Sequence, residues 1–364
     1  MSEDNQLDMT LDEVVDDAAG ETTTVKNFQI DSYGADYTVD GLVSRMKTGA
    51  FFVPPFQRSY VWNHKTASRF IESLLLGLPV PGVFVFKDED SGKHLIVDGQ
   101  QRLKTLFFFY LGTFQEGRVK DKAFRLIDVR EPWNGKKYDE LEEPDRLRLD
   151  DSIIHTTVFK QREPSNDDQS IYEVFERINT TGVRLSDQEV RTCVNFGPFY
   201  ELLKKLNDTP AWRKVYGPKS ERLKDQELIL RFLAILHESD TYDSPMKGFL
   251  NHFMKQYSKS NALDKAPPFA KEFTDTISRA AEIFGEKAFR PDKQINVAVF
   301  DAVMVALARR MQAGPIKDAN GIRHQYEELL KNEDFRGAYM KATANAENVQ
   351  RRVSMATAAF KSVA

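Results

Sequence analysis

The chain of 364 residues contains a single cysteine, Cys193. An intrachain disulfide is therefore excluded, which fits a reducing, cytoplasmic setting. The sequence also lacks any run of about 18 apolar residues, the length that a membrane-spanning helix needs. Its N-terminus is acidic and does not show the basic and apolar regions of a signal peptide. We therefore expect a cytoplasmic protein that makes no membrane contact.

Motifs for several common activities are absent as well. The six histidines are scattered without a metal-ligand spacing such as HxxxH, and one cysteine cannot build a zinc site. The sequence contains neither the GxxxxGK[ST] motif of P-loop proteins nor the GxSxG motif of hydrolases. It shows no HNH and no PD-(D/E)xK nuclease pattern. Any chemistry must therefore come from other polar clusters.

Charge is distributed unevenly along the chain. Residues 1–25 contain eight Asp and Glu and no Lys or Arg, so the remainder carries 51 basic against 47 acidic residues. We expect 1–25 to be a disordered, solubilising tail. The alternative is a tail that mimics a polyanion and lies over a basic site.

The pattern of apolar residues changes near residue 165. We predict an α+β domain over 26–165 and an all-helical domain over 166–364. Strands in the first domain are predicted at 79–87, 93–97, 124–128 and 153–159, and helices at 38–48, 65–76 and 101–112. In the second region, Ser186 and Glu189 form a capping box that predicts the start of a helix. Further helices are predicted at 168–178, 198–206, 225–237, 246–258, 268–285, 294–312, 321–331 and 344–362.

The most informative stretch of the sequence is Asp98-Gly99-Gln100-Gln101-Arg102. An apolar strand pattern precedes it, and an apolar i, i+3, i+4, i+7 pattern follows it, which predicts a strand-to-helix turn. Such a turn offers backbone N–H groups and the positive end of a helix dipole to an anion. Gly99 allows close approach of the backbone, and Arg102 adds a fork suited to phosphate. Asp98 is a candidate ligand for Mg²⁺ or a group that orients water.

Two further clusters combine the same residue types. Gln57 and Arg58 lie between aromatic residues, and Arg177 and Asn179 lie at the end of a predicted helix. Arginine with amide and hydroxyl groups suits phosphate and ribose.

Each cluster also has an ordinary explanation. Asp-Gly is a common turn, and Gln-Gln-Arg can be a solvated first helical turn. Arg58 can be an exposed strand residue or a partner of Asp98, and Arg177 can pair with Glu173. Tyr60 and Trp62 are expected to be core residues rather than base-stacking platforms.

The motifs PPFQRSYVW, IVDGQQRL and VFERINTTGVRLSDQEV occur in this order. Together they resemble the DGQQR-motif domain family, domain of unknown function 262, the type of N-terminal domain found in GmrSD restriction and antiphage systems. The resemblance covers roughly residues 36–200 and implies a small mixed sheet of the ParB/sulfiredoxin-like fold. It also implies binding and hydrolysis of a nucleoside triphosphate. The implied catalytic residues are Asp98, Gln100, Gln101 and Arg102, and the implied nucleotide-binding residues are Gln57, Arg58, Gly99, Arg177 and Asn179.

The sequence also departs from this family. Many members carry a C-terminal HNH nuclease domain, and residues 200–364 show no such pattern. Either DNA cleavage comes from a partner or from an unrecognised site, or it does not occur. Sulfiredoxin chemistry needs a cysteine in the phosphate-binding motif. Here that motif reads DGQQR, and Cys193 is expected to be a buried helix residue.

Three functions remain open at this point. The first is an enzyme that hydrolyses a nucleoside triphosphate, with Mg²⁺ as cofactor, in a DNA-directed antiphage or restriction system. The second is a non-enzymatic module that binds DNA or a partner protein under the control of a nucleotide. The third is a Mg²⁺-dependent nickase or nuclease that uses Asp98 with Glu72. The expected partners are a nucleotide, DNA, and a separate nuclease or other defence protein.

Overall fold

The computed structural model describes residues 29–53, 60–88, 92–116, 119–163, 174, 177–178, 186–258 and 262–363. These residues form two compact units, of which the first runs to Val194 and the second begins at Asn195. The acidic tail 1–25 lies outside the described residues. The first unit extends past the predicted boundary at 165, because the helix Asp187–Val194 groups with it.

The N-terminal unit is built on a five-stranded mixed sheet and a separate strand pair. The strands are β1 Gln29–Thr38, β2 Phe51–Phe52, β3 Val83–Lys87, β4 His94–Asp98, β5 Thr113–Glu116, β6 Val119–Ala123 and β7 Ile153–Glu163. In the large sheet they have the order β1-β7-β3-β4-β2, where β1 is antiparallel to β7, β7 parallel to β3, β3 antiparallel to β4, and β4 parallel to β2. Strands β5 and β6 form the antiparallel pair. The predicted α+β class is therefore confirmed.

Helices of the first unit pack their apolar faces against the core. They are α1 Val39–Lys47, α2 His64–Leu75, α3 Gln100–Leu111, α4 Glu143–Asp150 and α5 Asp187–Val194. The i, i+3 spacing of Leu103 and Leu106 places both side chains on the buried face of α3, where they share the core with Ile71 of α2. The capping box of α5 is confirmed, since Ser186 N donates to Glu189 Oε2 at 2.6 Å and Glu189 N donates to Ser186 Oγ at 3.2 Å.

One predicted strand is wrong. Residues 124–128 do not join a sheet, although Phe124 and Leu126 are fully buried. Their backbone N–H groups donate to Gly112 O and Lys136 O instead of to a neighbouring strand. The alternation of buried and exposed residues came from a loop packed on the core. The predicted helix 168–178 lies almost entirely outside the described residues.

Helices are the regular secondary structure of the second unit in its described residues. Its helices are α6 Pro198–Asn207, α7 Pro210–Tyr216, α8 Lys224–Glu238, α9 Met246–Gln256, α10 Phe269–Phe284, α11 Val297–Gln312, α12 Ala319–Lys331, α13 Glu333–Met340 and α14 Ala346–Lys361. The short helices α7 and α13 were not predicted. Across the described ranges of both units, every helix is too short or too polar to span a lipid bilayer.

Candidate functional site

The turn between β4 and α3 contains the five residues of the DGQQR motif. Gly99 has φ +91° and ψ +9°, a left-handed conformation that favours glycine. A Cβ atom at this position would overlap the side chain of Val83 and stand 3.1 Å from Arg102 Nη2. Gly99 offers no side chain to cap α3, so the first N–H groups of the helix point to the turn without a side-chain acceptor from that residue.

Arg102 connects the turn to the neighbouring strand. Its Nη2 atom donates to Gly82 O at 2.9 Å and to Asp98 Oδ2 at 3.0 Å. The Arg102 side chain is 17% exposed, whereas that of Asp98 is 39% exposed. The Nε atom of Arg102 is buried and has no hydrogen-bond partner among the described residues. Part of this guanidinium therefore stabilises the fold, and its Nε donor remains available for a partner beyond the described residues.

Gln101 holds a different part of the chain. Its Oε1 atom accepts from the backbone N–H groups of Val61 at 3.0 Å and Trp62 at 3.3 Å. Its Nε2 atom is buried and, within the described ranges, has no partner. The side chain thus fixes the backbone that directly follows residues 54–59, the segment with Gln57 and Arg58.

Tyr60 is a core residue, as the sequence predicted. Its side chain is buried, and its hydroxyl lies 2.7 Å from Thr105 Oγ1. Burial raises the pKa of Tyr60 to about 12, although the bond to Thr105 acts in the opposite direction. Trp62 also packs against the core and meets Phe70 edge to face. Neither ring acts as a free stacking platform.

Gln100 is half-buried and accepts from Lys104 Nζ at 3.4 Å. Burial lowers the pKa of Lys104, because it disfavours the charged ammonium. Lys104 was not among the predicted site residues. Its position four residues after Gln100 places the two side chains on the same helix face, and this spacing is the signal that the sequence contained.

Gly82 was missed for a different reason. Its carbonyl oxygen is the acceptor for Arg102, and a Cβ atom at Gly82 would overlap His155 O. His155 belongs to β7, and its Nδ1 atom lies 2.7 Å from Oδ1 of Asp36 in the neighbouring strand β1. These contacts join strands that are far apart in sequence, and no local pattern reports them.

The described residues do not form a metal site by themselves. The described ranges contain no group of three His, Cys, Asp or Glu side chains placed to hold an ion. Asp98 has one oxygen engaged by Arg102, and Glu72 Oε1 accepts from the backbone N–H of Arg130 at 2.7 Å. Mg²⁺ usually keeps several waters and binds one or two carboxylates together with substrate phosphates.

The other two clusters are only partly visible. Gln57, Arg58 and Asn179 lie outside the described residues. Arg177 is helical and exposed. The structure therefore brings Asp98, Gly99, Gln100, Gln101 and Arg102 together on one turn, and the contribution of the other four residues stays a prediction. Cys193 is buried in α5, as predicted.

A comparison with known protein families gives one match that includes the site turn. Residues 39–196 match the family described as the GmrSD restriction endonuclease, N-terminal domain. No curated protein gives a significant match to the chain. The matched range begins at the first residue of α1 and ends two residues after α5, so it contains the site turn and most of the N-terminal unit. Residues 39–196 of this chain are therefore similar to a GmrSD-type N-terminal domain.

Proposed function

We propose that the turn Asp98–Arg102 binds the phosphates of a nucleoside triphosphate and that the protein hydrolyses this nucleotide. The observation that carries the proposal is a pair of buried N–H donors, Gln101 Nε2 and Arg102 Nε, which have no partner among the described residues. Leaving a buried donor unpaired costs about 1–3 kcal/mol. Phosphate oxygens are strong acceptors, and the N-terminus of α3 also favours an anion.

Each residue of the turn would have a different role in binding or hydrolysis. Arg102 would bind phosphate oxygens with the part of its guanidinium that Gly82 and Asp98 do not use. Asp98 Oδ1 would accept a hydrogen bond from the attacking water, while Oδ2 stays with Arg102. Gln101 would keep the preceding segment in place through Val61 and Trp62. Mg²⁺ would have to arrive with the nucleotide phosphates, because the described residues offer it a single carboxylate at this turn.

We further propose that this nucleotide step serves a DNA-directed restriction or antiphage system. The support is the family description of residues 39–196 as the N-terminal domain of a restriction endonuclease. DNA and a separate nuclease or other defence protein are the candidate partners.

Nucleotide binding and phosphate release test the proposal in the full chain. Purified protein is mixed with each of ATP, GTP, CTP and UTP plus Mg²⁺, and thermal stabilisation and inorganic phosphate are measured. We expect one nucleotide to stabilise the wild type and to be hydrolysed. Arg102→Ala should lose both effects, and Asp98→Asn should keep binding but lose hydrolysis, since it preserves the shape of the side chain.

Arg125→Ala is the matched control for Arg102→Ala. Arg125 also donates to a backbone carbonyl, Gly135 O, and pairs with a carboxylate, Glu140, but it lies outside the turn. This variant should lose stability while keeping the response to nucleotide. Equal nucleotide responses of the wild type and Arg102→Ala would refute the site.

A nucleotide-gated module without turnover is the second candidate function. The ion pair between Asp98 and Arg102 favours it, since Arg102 Nη2 already occupies one oxygen of the carboxylate that would have to bind the attacking water. Stabilisation by nucleotide without phosphate release, even with DNA present, would select this alternative. A nickase based on Asp98 and Glu72 lacks comparable support, and we expect supercoiled plasmid to stay intact with the protein and Mg²⁺.

A further inference from the structure

The two units differ in charge. Residues 26–194 contain 24 Lys and Arg against 26 Asp and Glu, whereas residues 195–364 contain 27 against 21. The helical unit therefore has six positive charges in excess, although the complete chain has a net charge of −4. A cationic unit inside an acidic protein indicates a local attraction for polyanions.

Nearly all of this excess belongs to two segments of the helical unit. Residues 204–225 and 285–293 together contain ten Lys and Arg and five Asp and Glu. The rest of the unit is close to neutral, with 17 basic and 16 acidic residues. The positive charge is thus concentrated rather than spread evenly over a solubilising surface.

The fold brings the two segments together. Arg290 Nη2, in the second segment, donates to Val215 O in α7 at 2.8 Å. The exposed lysines of the two segments form what we call the basic surface: Lys204, Lys205, Lys214, Lys219, Lys287 and Lys293. Two of them pair with carboxylates, Lys204 with Glu201 and Lys219 with Asp208. These surface ion pairs are solvated and their interaction free energy is small, so a ligand can displace the carboxylates from the lysines.

A buried carboxylate fixes the loop that carries part of this surface. Asp225 is fully buried and accepts from Asn207 Nδ2 at 2.9 Å, from Ser220 N at 3.2 Å and from Arg213 Nη1 at 3.0 Å. Ser220 Oγ in turn accepts from the backbone N–H groups of Arg222 and Lys224. The backbone of the loop is therefore ordered before any ligand arrives, which lowers the entropic cost of binding.

The aromatic residues of the two segments help to identify the ligand. Trp212, Tyr216 and Phe289 are all buried. Proteins that bind single-stranded nucleic acids stack bases on accessible aromatic rings. Peripheral membrane proteins insert apolar side chains into the lipid interface. The basic surface offers neither group, so its chemistry fits the regularly spaced phosphates of a duplex.

We propose that the basic surface binds the sugar–phosphate backbone of duplex DNA without reading its sequence. The choice of DNA over duplex RNA rests on the restriction function proposed above. Binding of this kind releases counterions, so its affinity falls steeply with salt.

Fluorescence anisotropy with the full chain and a labelled duplex of about 30 base pairs tests this proposal at about 50 to 200 mM NaCl. The assay contains no nucleotide, so a failure of the nucleotide site leaves its result unchanged. The test variant combines Lys205→Glu, Lys214→Glu, Lys287→Glu and Lys293→Glu. The matched control reverses the charge of four exposed lysines elsewhere in the same unit by substitution with glutamate. These are Lys317, Lys331, Lys341 and Lys361.

We expect the test variant to bind duplex DNA at least about tenfold more weakly than the wild type. The salt slope, which is the slope of log K against log salt concentration, should be smaller in magnitude by about 3 to 4. The control should stay within about threefold of the wild type. Equal losses in both variants would overturn the proposal, because they would indicate an effect of net charge alone. Preferred binding to single-stranded DNA, to duplex RNA or to phosphatidylserine vesicles would also overturn it.

Circular dichroism and thermal melting check that both variants fold. If the fourfold test variant does not fold, Lys214→Gln and Lys287→Gln replace it, and each should lower the salt slope by about 1. Unchanged slopes in these two variants would reject the basic surface. Phosphate release by the test variant should match that of the wild type, since the changes lie outside the nucleotide site.

Discussion

Gln101 accepts a hydrogen bond through Oε1 from the backbone N–H of Val61 at 3.0 Å. The same oxygen accepts from Trp62 N at 3.3 Å. Gln101 and Val61 are 40 positions apart, and their contact ties the first turn of α3 to the chain that leaves the Gln57-Arg58 segment. Gln101 is thus a positioning residue, in addition to any contact that its Nε2 makes with a ligand.

Gln101→Ala should lower the free energy of unfolding by about 1–2 kcal/mol, because two backbone donors lose their acceptor. Urea unfolding of the full chain measures this change. Gln100→Ala is the control, since Gln100 lies on the same helical turn and has a long 3.4 Å contact with Lys104. That variant should change stability by less than about 0.5 kcal/mol. Equal effects of the two substitutions would argue against the positioning role.

Gly99→Ala should be more costly than a usual turn substitution. The residue would have to keep φ +91°, and its Cβ would overlap Val83. Left-handed backbone costs about 1–2 kcal/mol, and overpacking adds about 1–3 kcal/mol. We therefore expect a loss of about 2–5 kcal/mol in urea unfolding.

Gly112→Ala separates the two contributions. Gly112 ends α3 with φ +68°, but a Cβ there would meet no atom within 4 Å among the described residues. This variant should lose only the backbone part, about 1–2 kcal/mol. A Gly99→Ala variant that is no less stable than Gly112→Ala would show that the overlap with Val83 is relieved at little cost.

The strand-to-helix turn was predictable because its signals are local. A strand pattern, a glycine and an i, i+3, i+4, i+7 helix pattern follow each other within a few residues, and the structure confirms β4, Gly99 and α3. The capping box of Ser186 and Glu189 was predictable for the same reason. Each of these features depends on residues that are neighbours along the chain.

Contacts across the sheet could not be predicted in this way. The partner of Arg102 is a carbonyl oxygen on Gly82, 20 residues earlier, and a carbonyl has no sequence signature. At Phe124 and Leu126 the sequence did contain a signal, but it predicted the wrong element. An alternating pattern can arise in a buried loop as well as in a strand. Tertiary packing decides between these outcomes.

The helical unit contains a buried cluster of charged side chains, and removing its carboxylate should strongly destabilise the fold. Asp301 is fully buried and accepts from Arg231 Nε at 3.1 Å and Nη2 at 2.6 Å, and from Arg352 Nη2 at 3.2 Å. Asp301→Asn would leave two arginines without a compensating charge, so we expect a loss of about 3–5 kcal/mol in urea unfolding.

Arg352→Met is the comparison for this cluster. Burial lowers the pKa of Arg352, against the pull of Asp301, so removing its charge also removes a desolvation cost. The bidentate pair of Arg231 and Asp301 remains in this variant. It should therefore lose less stability than Asp301→Asn. A greater loss in Arg352→Met would mean that packing and the bond to Thr343 O outweigh the charge balance.

His94 should make the N-terminal unit sensitive to acid. Its ring stacks on Phe51 with 4.8 Å between centroids. Burial lowers the pKa of His94, and the positive charges of Lys87 and Arg45 lower it further. As the pH falls below about 6.5, the unfolded chain takes up this proton before the folded chain does. The free energy of unfolding should therefore decrease, by at most about 1.4 kcal/mol per pH unit for one proton.

Urea unfolding of the wild type and His94→Gln at about pH 7.5 and about pH 5.5 measures this contribution. The variant should lose less stability between the two pH values than the wild type does, because glutamine does not titrate. His324→Gln, which changes an exposed histidine of the helical unit, should keep the pH dependence of the wild type. If His94→Gln and His324→Gln lost stability equally on acidification, another group would be responsible for the acid sensitivity of the N-terminal unit.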